Sequence, residues 1–140
     1  MSDPAADFVT ALPFNTLVGL SAEGEALALR DASALHNHVG TVHAGALFTL
    51  GEAASGVAIA RNIAAALGGA MPVTRGASIT YKKPGRGRIR ATAGLAEGVD
   101  AISARLARDG KASFDVNVVL QDDAGTEVAT MTVAWYVRAG

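Results

Sequence analysis

The stretch HNHVGTVHAGALFTLGEAASG, residues 36–56, contains the side chains of this sequence that are best suited to chemistry. All three histidines lie in its first eight residues, and Glu52 is the only charged side chain between residues 44 and 60. A carboxylate enclosed by apolar groups is unfavourable unless it is paired or takes up a proton. The small neighbours of Glu52 leave space beside it, so the pattern favours a nucleophile or general base in a narrow cleft. A carboxylate turned to a solvent gap, or paired with a basic residue of a sheet, is the purely structural alternative.

A helix is predicted to begin at His43, which places the amides of Ala44 and Gly45 in its first turn, where they have no partner within the helix. Such amides can stabilise a developing oxyanion. Ala44 and Glu52 are eight residues apart, however, or about 12 Å at the helical rise, which is too far to act on one carbonyl. Two such helices paired antiparallel in a symmetric dimer would bring the start of one near the middle of the other. We therefore expect a site shared between two subunits.

Other arrangements of reactive side chains are weaker. His36, His38 and His43 match none of the usual zinc-ligand spacings and have no second cluster to complete the coordination, so no metal site is expected. The segment Gly19-Leu20-Ser21-Ala22-Glu23 lacks the closing glycine of a serine-hydrolase nucleophile elbow. The sequence has no phosphate-binding loop signature, and its lack of cysteine excludes disulfides and a thiol nucleophile.

Length and composition limit the class of protein. A chain of 140 residues without a shift in composition is expected to form a single domain over residues 1–140. Twelve basic against thirteen acidic side chains give a net charge of −1, so no overall field favours nucleic acid or an anionic membrane. The first residues lack the pattern of a signal peptide, and no apolar run is long enough to span a membrane. We therefore expect a cytoplasmic protein that binds neither nucleic acid nor membrane.

The first half of the chain is predicted to contain two short strands and one long helix. Residues 3–12 are typical of a short helix capped by the first residue of the segment. Residues 17–20 and 25–30 are predicted to form a hairpin. Between residues 43 and 67 apolar side chains occupy every side of the predicted helix, which indicates a helix wrapped by protein, and Gly68-Gly69 ends it.

The second half is richer in strand signals. The predicted elements are strands at 73–83 and 88–96, a short helix at 100–109 capped by Asp100 and ended by Gly110, and a hairpin of strands at 112–121 and 126–137. The sum is two strands, a long helix and four strands. This order predicts an α+β fold in which an antiparallel sheet of about five to six strands wraps around one long central helix.

The spacing of Asn37, His43 and Glu52, in NHVGTVHAGALFTLGE, resembles a segment of the hot-dog-fold acyl-CoA thioesterases of the phenylacetate-degradation type. These typically have an Asn, then His-Gly-Gly, then an Asp or Glu. The later segment VTRGASITYKKPGRG, residues 73–87, is similar to the third strand of that family, which often ends in Tyr-x-x-Pro. The extra short helix before residue 112 resembles a less characterised branch of the superfamily. The resemblance covers nearly the whole chain and implies the hot-dog fold.

The resemblance also implies roles for individual residues. Glu52 would be the nucleophile or the base that activates water at the thioester carbonyl. The amide of Ala44, from the partner subunit, would polarise that carbonyl. His43 and Asn37 would orient the site, and Thr74 corresponds to a family Ser or Thr that can hold the attacking water. Ala44 stands in place of the usual glycine, and Glu52 in place of the commoner Asp.

Basic residues are concentrated between residues 82 and 90. A solvated hairpin is the structural interpretation of such a cluster. In a thioesterase of this type, however, the edge near Tyr81 would meet the phosphates of coenzyme A (CoA), with arginine supplying forked donors. The residues expected to bind substrate are Gly45, Tyr81, Lys82, Lys83, Arg86 and Arg88.

The implied function is hydrolysis of an acyl-CoA thioester to a carboxylic acid and free CoA, with no cofactor other than the CoA of the substrate. A hot-dog hydratase or dehydratase is one alternative, because the fourteen-residue spacing of His38 and Glu52 resembles that of the fatty-acid dehydratases. A non-catalytic acyl-CoA-binding protein is another. The resemblance implies a homodimer. It leaves open whether dimers associate into a homotetramer, which acyl group is hydrolysed, and whether acyl-carrier protein takes the place of CoA. It also leaves open whether the acyl pocket or the hydrophobic core is where four residues of the helix lie: Leu47, Phe48, Ala54 and Val57.

Overall fold

Helix α3, which runs from Ala44 to Asn62, is the element around which the chain is arranged in the computed structural model. The structure describes residues 3–140. The shorter helices are α1 (Pro4–Thr10), α2 (Pro13–Val18) and α4 (Val99–Asp109), with 3-10 turns at Ser33–Leu35 and Ala64–Leu67. The strands are β1 (Leu20–Glu23), β2 (Ala26–Leu29), β3 (Val73–Tyr81), β4 (Ile89–Leu95), β5 (Lys111–Asp122) and β6 (Glu127–Arg138). The predicted order of two strands, one long helix and four strands is confirmed.

The strands form one antiparallel sheet in the order β1-β2-β4-β5-β6-β3. The β5–β6 hairpin is closed by a turn in which the Asp122 carboxylate accepts hydrogen bonds from the amides of Ala124 and Thr126. Along β5, alternate residues from Ala112 to Leu120 are buried, as expected for a strand with one face on the core. Strand β3 lies at an edge of the sheet, where β6 is its one neighbour within residues 3–140.

Close packing of α3 on the sheet depends on small residues of the helix. A Cβ atom at Gly51 would lie 2.5 Å from Sδ of Met131 on β6, so a larger residue would displace the Met131 side chain from its place in the core. The neighbouring Leu50 is completely buried, in the same apolar cluster as Leu120 and Val133 of the sheet. The core therefore lies between α3 and the sheet.

The predicted strand at residues 17–20 is wrong for all but its last residue. Residues 13–18 form α2 instead, because Pro13 suits a first helical position and Gly19, at φ +87°, ends the helix in the left-handed region. The Asn15 side-chain amide donates to the Val9 carbonyl and ties α2 to α1. The hairpin itself is present, but it begins at Leu20.

The helix predicted at residues 100–109 is confirmed as α4, but its N-cap is Gly98 rather than Asp100. Asp100 lies in the first turn, where its charge is favourable to the helix dipole. Gly110 adopts φ +72° and ends the helix as predicted. Ile102 and Leu106 then bury the apolar face of α4 in a second cluster, beside the one under α3.

One face of α3 is less buried than the rest. Phe48 is 37% exposed, and Glu52, Gly56 and Ala60 follow it at four-residue intervals as half-buried positions. The prediction that protein wraps this helix on every side is therefore wrong for one face of the single chain, and the carboxylate belongs to that face. Although α3 is strongly apolar, neither it nor any other helix within residues 3–140 has the length and apolarity needed to cross a membrane.

Candidate active site

Glu52 projects from the open face of α3 towards the edge strand β3. Its Oε2 accepts a hydrogen bond from the Thr74 hydroxyl, at 3.3 Å between the oxygens. Burial raises the pKa of the Glu52 carboxyl above its ordinary value, and the hydrogen bond from Thr74 opposes part of that increase. A half-buried carboxylate of raised pKa is a stronger base and a better nucleophile than an exposed one. The structure thus brings together two of the residues selected from the sequence.

A β-bulge lies directly beside Thr74. The register of β3 against β6 shifts between Thr74 and Gly76, which leaves Arg75 as the extra residue. The Arg75 guanidinium lies over the ring of Tyr136 on β6, 4.0 Å from its centroid. A bulge bends its strand locally, so this packed arginine holds the bend that sets the direction of Thr74.

The start of α3 is capped by a histidine side chain. Nδ1 of His43 accepts a hydrogen bond from the Gly45 amide at 2.8 Å, so the expectation that both first-turn amides are unpaired is wrong for Gly45. A neutral His43 ring then carries its proton on Nε2. The Ala44 amide, at the first helical position, has no hydrogen-bond partner within residues 3–140. Of the two predicted oxyanion donors, Ala44 alone retains a free N–H in the described chain.

Tyr81 lies at the opposite end of β3 from Thr74. Its hydroxyl donates to the Ala44 carbonyl at 3.1 Å and so fixes the start of α3 against the end of the strand. The Val42 amide donates to the Gly85 carbonyl and holds the residues before α3 against the same segment. In this structure the Tyr81 hydroxyl therefore positions the Ala44 peptide instead of projecting freely towards a ligand.

Asn37 organises the loop that leads into α3. Its side-chain oxygen accepts from the amides of Val39 and Thr41, and its side-chain nitrogen donates to the Thr41 hydroxyl. These bonds engage the whole amide group, so Asn37 supports the loop from within. His36 contacts Asp31 at 3.2 Å, and no group of three histidine or carboxylate side chains among residues 3–140 is arranged to hold a metal ion.

The basic cluster divides into paired and unpaired side chains. Lys82 pairs with Glu127 at 2.6 Å, Arg88 with Glu23 at 2.6 Å, and Arg90 with Asp123 at 2.9 Å. Lys83 and Arg86 are exposed and have no carboxylate partner in the part of the chain that the structure describes. These two cations are the ones best placed to meet an anionic ligand.

A cavity of about 500 Å³ opens beside Glu52. Its walls are formed by α1 and α2, by the open face of α3, by residues 67–72 and by Trp135, and Glu52 is the one charged side chain among them. Sequence reasoning missed this cavity because its walls come from segments far apart in the chain. Leu47, Ala54 and Val57, which the sequence left open as pocket or core, are buried core residues. Phe48 is exposed on the open face of α3 and does not line the cavity.

Trp135 is held in the cavity wall by a chain of two hydrogen bonds. Its indole N–H donates to the Ser55 hydroxyl at 3.0 Å, and that hydroxyl donates to the Glu52 carbonyl at 2.6 Å. Ser55 is completely buried. The chain fixes both the tryptophan ring and the turn of α3 that carries the carboxylate. A buried tryptophan usually needs a partner for its N–H, but the sequence did not indicate which one.

The predicted site residues thus form two separate groups in one chain. Glu52 and Thr74 lie at the start of β3, and Ala44, His43 and Tyr81 lie at its end. Because α3 is one continuous helix, Ala44 and Glu52 stay about 12 Å apart along its axis. Neither group alone contains both a carboxylate and a free amide donor.

Comparison with known proteins places the chain among related folds. The model of the family described as domain of unknown function DUF4442 matches residues 8–137. No curated protein matches the sequence. A crystal structure of a protein of unknown function from Pseudomonas aeruginosa, described as a probable thioesterase, is 27% identical with a TM-score of 0.85, and the match covers 98% of this chain and 95% of that one.

Two further structures share the fold at lower identity. A Bacillus halodurans protein crystallised with CoA is 24% identical, with a TM-score of 0.70 over 91% of this chain and 76% of that one. A phenylacetic acid degradation-related protein from Ralstonia eutropha is 20% identical, with a TM-score of 0.67, and the match covers 96% of this chain and 100% of that one. The chain therefore has the hot-dog fold, and its resemblance to the hot-dog thioesterase superfamily is confirmed.

The raised pKa of Glu52 predicts a pH-dependent effect on stability. Between the ordinary pKa of a glutamate, about 4.3, and the raised value, the folded chain binds more protons than the unfolded chain, so the free energy of unfolding falls as pH rises through this window. We expect Glu52→Gln, which cannot ionise, to melt at a higher temperature than wild type at neutral pH. This difference in melting temperature should disappear at a pH below the ordinary pKa of a glutamate. Thermal unfolding followed by circular dichroism across this range tests it.

Glu25→Gln is the matched control, since Glu25 is exposed and the chemical change is the same. It should leave the melting temperature close to that of wild type at every pH. A Glu52→Gln variant that is less stable than wild type at neutral pH would show that ionised Glu52 has a stabilising partner in the folded protein.

Proposed function

Since the chain belongs to the DUF4442 family, we propose that it is an acyl-CoA thioesterase, which hydrolyses a thioester to a carboxylic acid and free CoA. The observation that supports this most strongly is the position of Glu52, a carboxylate of raised pKa at the side of an apolar cavity with a hydroxyl donor on one oxygen. An acyl group in the cavity brings its thioester carbonyl next to a basic carboxylate. The related structures, one described as a probable thioesterase and one crystallised with CoA, support the same chemistry.

The separation of Glu52 from the Ala44 amide supports a homodimer. Strand β3 is an exposed edge with an unpaired side, and a second copy of the chain can pair with it antiparallel about a two-fold axis. An axis at Ala77, the middle residue of β3, sets Thr74 opposite Thr80 of the partner subunit. Glu52, which Thr74 holds, then faces the end of β3 where Ala44 of the partner subunit lies. The two-fold axis brings Glu52 of one subunit near Ala44 of the other twice, so the dimer has two equivalent sites. Association of dimers into a tetramer stays a prediction.

The proposed reaction uses each group once. Ionised Glu52 attacks the thioester carbonyl, or it removes a proton from a water that attacks, with Thr74 as a second hydrogen-bond partner for that water. The carbonyl oxygen becomes an oxyanion and accepts a hydrogen bond from the N–H of the partner's Ala44. The C–S bond breaks, and CoA leaves as a thiolate and takes up a proton. Where water attacks, the acyl carbon retains the oxygen of that water. Where Glu52 attacks, the acyl group forms a mixed anhydride with Glu52, and a water then hydrolyses it to the carboxylic acid and the free carboxylate. His43 has a positioning role, because it holds the turn that presents the Ala44 amide.

Lys83 and Arg86 are the proposed contacts of the CoA phosphates. Both lie just beyond Tyr81, whose hydroxyl reaches the start of α3, and both are exposed without a carboxylate partner among residues 3–140. Charge-assisted hydrogen bonds from a lysine and an arginine suit phosphate groups. The other cations of the cluster already pair with carboxylates and contribute less to such a contact.

The first test of this proposal is release of free thiol from a panel of acyl-CoA thioesters. We expect wild type to hydrolyse at least one of them and Glu52→Gln to lose about 100-fold or more of kcat, the contribution of a positioned acid or base. Glu25→Gln should retain full activity, and size-exclusion chromatography should show one oligomeric state for all three proteins. Saturable binding without any thiol release, or activity that does not depend on Glu52, would contradict the proposed function.

The oxyanion donor is tested by Ala44→Pro, which removes the N–H. Proline suits the first position of a helix, and His43 before it has φ −62° and ψ +137°, a conformation that a following proline accepts. We expect kcat to fall about 100- to 1000-fold, as for loss of one oxyanion donor. Ala44→Gly, which keeps the N–H, should stay near wild type. In mixed dimers, one subunit with Glu52→Gln and the other with Ala44→Pro should retain one working site; complete inactivity of these dimers would contradict a shared site.

The CoA contact is tested by Lys83→Ala and Arg86→Ala. Each should raise KM for acyl-CoA about tenfold, the scale of a hydrogen bond to a charged group, while kcat is unchanged. The effect should disappear with an acyl-pantetheine substrate, which lacks the nucleotide phosphates. Arg90→Ala is the matched control, because Arg90 already pairs with Asp123. An equal rise in KM for both substrates would place the CoA phosphates elsewhere.

A further inference from the structure

The cavity beside Glu52 extends along α3 in one direction. Its lining positions on the open face of the helix are Glu52, Gly56 and Ala60, each one turn beyond the last, and no lining residue of α3 precedes Glu52. From Glu52 to Ala60 the helix rises about 12 Å. The carboxylate is therefore at one end of the cavity, and an apolar channel continues from it towards the end of the helix.

Small side chains keep this channel open. A Cβ atom at Gly56 would lie 3.7 Å from Cγ2 of Val9, which is ordinary contact, so α1 packs closely on this turn and a side chain longer than alanine would displace Val9 or extend into the adjoining cavity. Ala60 is half-buried at the next turn. Aliphatic and aromatic side chains of the other segments complete the walls, among them Phe8, Leu12, Leu67 and Met71.

Apart from Glu52, which accepts hydrogen bonds when ionised, the polar side chains of the lining already donate to other groups of the protein. The Asn15 side-chain amide donates to the Val9 carbonyl at 2.9 Å, and the Trp135 N–H donates to Ser55. A hydroxyl or a carboxylate on a ligand inside the channel would lose its water and find no side-chain donor without a partner, which is unfavourable. The chemistry of the walls therefore selects a plain hydrocarbon group.

The volume and length of the cavity indicate which type of hydrocarbon group fits it. An extended chain of tetrahedral bonds advances about 3.6 Å over three bonds, so 12 Å corresponds to about ten bonds. A cavity of about 150 Å³ is enough to hold benzene. A single aromatic ring would leave most of a cavity of about 500 Å³ unfilled. An aliphatic chain of medium length fits better.

We propose that this cavity binds the acyl group of the substrate, and that Gly56 and Ala60 set its length so that unsubstituted aliphatic chains of medium length are preferred. The inference depends on the proposed thioesterase function, because the reacting carbonyl is what places the chain next to Glu52. It adds to that function the class of acyl group and the residues that select it.

The activity test compares kcat/KM for acetyl-, butyryl-, octanoyl-, decanoyl-, palmitoyl- and phenylacetyl-CoA. Wild type should be most active towards octanoyl- or decanoyl-CoA. Ala60→Leu should lower the value for decanoyl-CoA about tenfold or more, as for a methylene that a pocket cannot accommodate, and leave butyryl-CoA unchanged. The control is Ala65→Leu, the same substitution at an exposed position outside the cavity, which should keep the wild-type profile.

A second measurement does not require turnover. Trp135, the single tryptophan of the chain, lines the cavity, so its fluorescence reports occupation of the site. In the Glu52→Gln background, decanoyl-CoA should change the emission saturably and CoA alone should not. Adding Gly56→Leu should abolish the change, while adding Ala65→Leu should not.

The outcomes separate this inference from the proposed function. Thiol release with the same chain-length profile in Ala60→Leu and wild type, or a preference for phenylacetyl-CoA, would overturn the assignment of the cavity and leave hydrolysis in place. A fluorescence response to decanoyl-CoA without thiol release in wild type would support the cavity and overturn hydrolysis. An emission change with CoA alone equal to that with decanoyl-CoA would contradict the assignment.

Discussion

The candidate site depends above all on one carboxylate, Glu52, which is held within an apolar stretch of helix α3. Helix α3 packs on the sheet through residues such as Gly51 and Leu50, and a charge on that side would have no partner. Glu52 occupies the one face that stays partly open, and Thr74 and the Ser55–Trp135 hydrogen bonds fix the turn of helix that carries it. Burial raises the pKa of Glu52, so ionising this carboxylate costs free energy in the folded chain. Proteins keep such unfavourable groups mainly at functional sites.

The proposal of a shared site follows from the contacts between α3 and β3. Strand β3 is bonded to helix α3 near each end of the strand. Thr74 donates to Glu52 at its start, and Tyr81 donates to the Ala44 carbonyl at its end. The two groups are complementary, since one has the carboxylate and the other the free amide. Antiparallel pairing of β3 with a second copy reverses the direction of the partner strand, so it sets unlike groups opposite one another. The proposed dimer, with its two-fold axis at Ala77, would therefore complete two sites together.

Local patterns in the sequence predicted the long helix and the β5–β6 hairpin, and the family resemblance selected Glu52 and Thr74 as site residues without indicating the hydrogen bond between them. They could not predict α2, since Pro13 to Val18 is too short for periodicity to separate helix from strand. They also missed the side-chain cap of His43 on Gly45 and the contact of Tyr81 with Ala44, which depend on the final position of each side chain. The cavity was beyond sequence reasoning, because its walls meet only after folding.

The cavity and the carboxylate are coupled through water. Glu52 is half-buried in the described chain, so one side of its carboxylate still contacts solvent or the open cavity. A hydrocarbon chain that fills the channel displaces water from that side, which raises the pKa of Glu52 further and makes the carboxylate more basic at the moment when a thioester lies next to it. A short acyl group leaves the far part of the channel hydrated and produces less of this effect. In the proposed thioesterase, recognition of the chain and activation of the carboxylate would then be one process, in which the length of the acyl group affects the chemical step as well as binding.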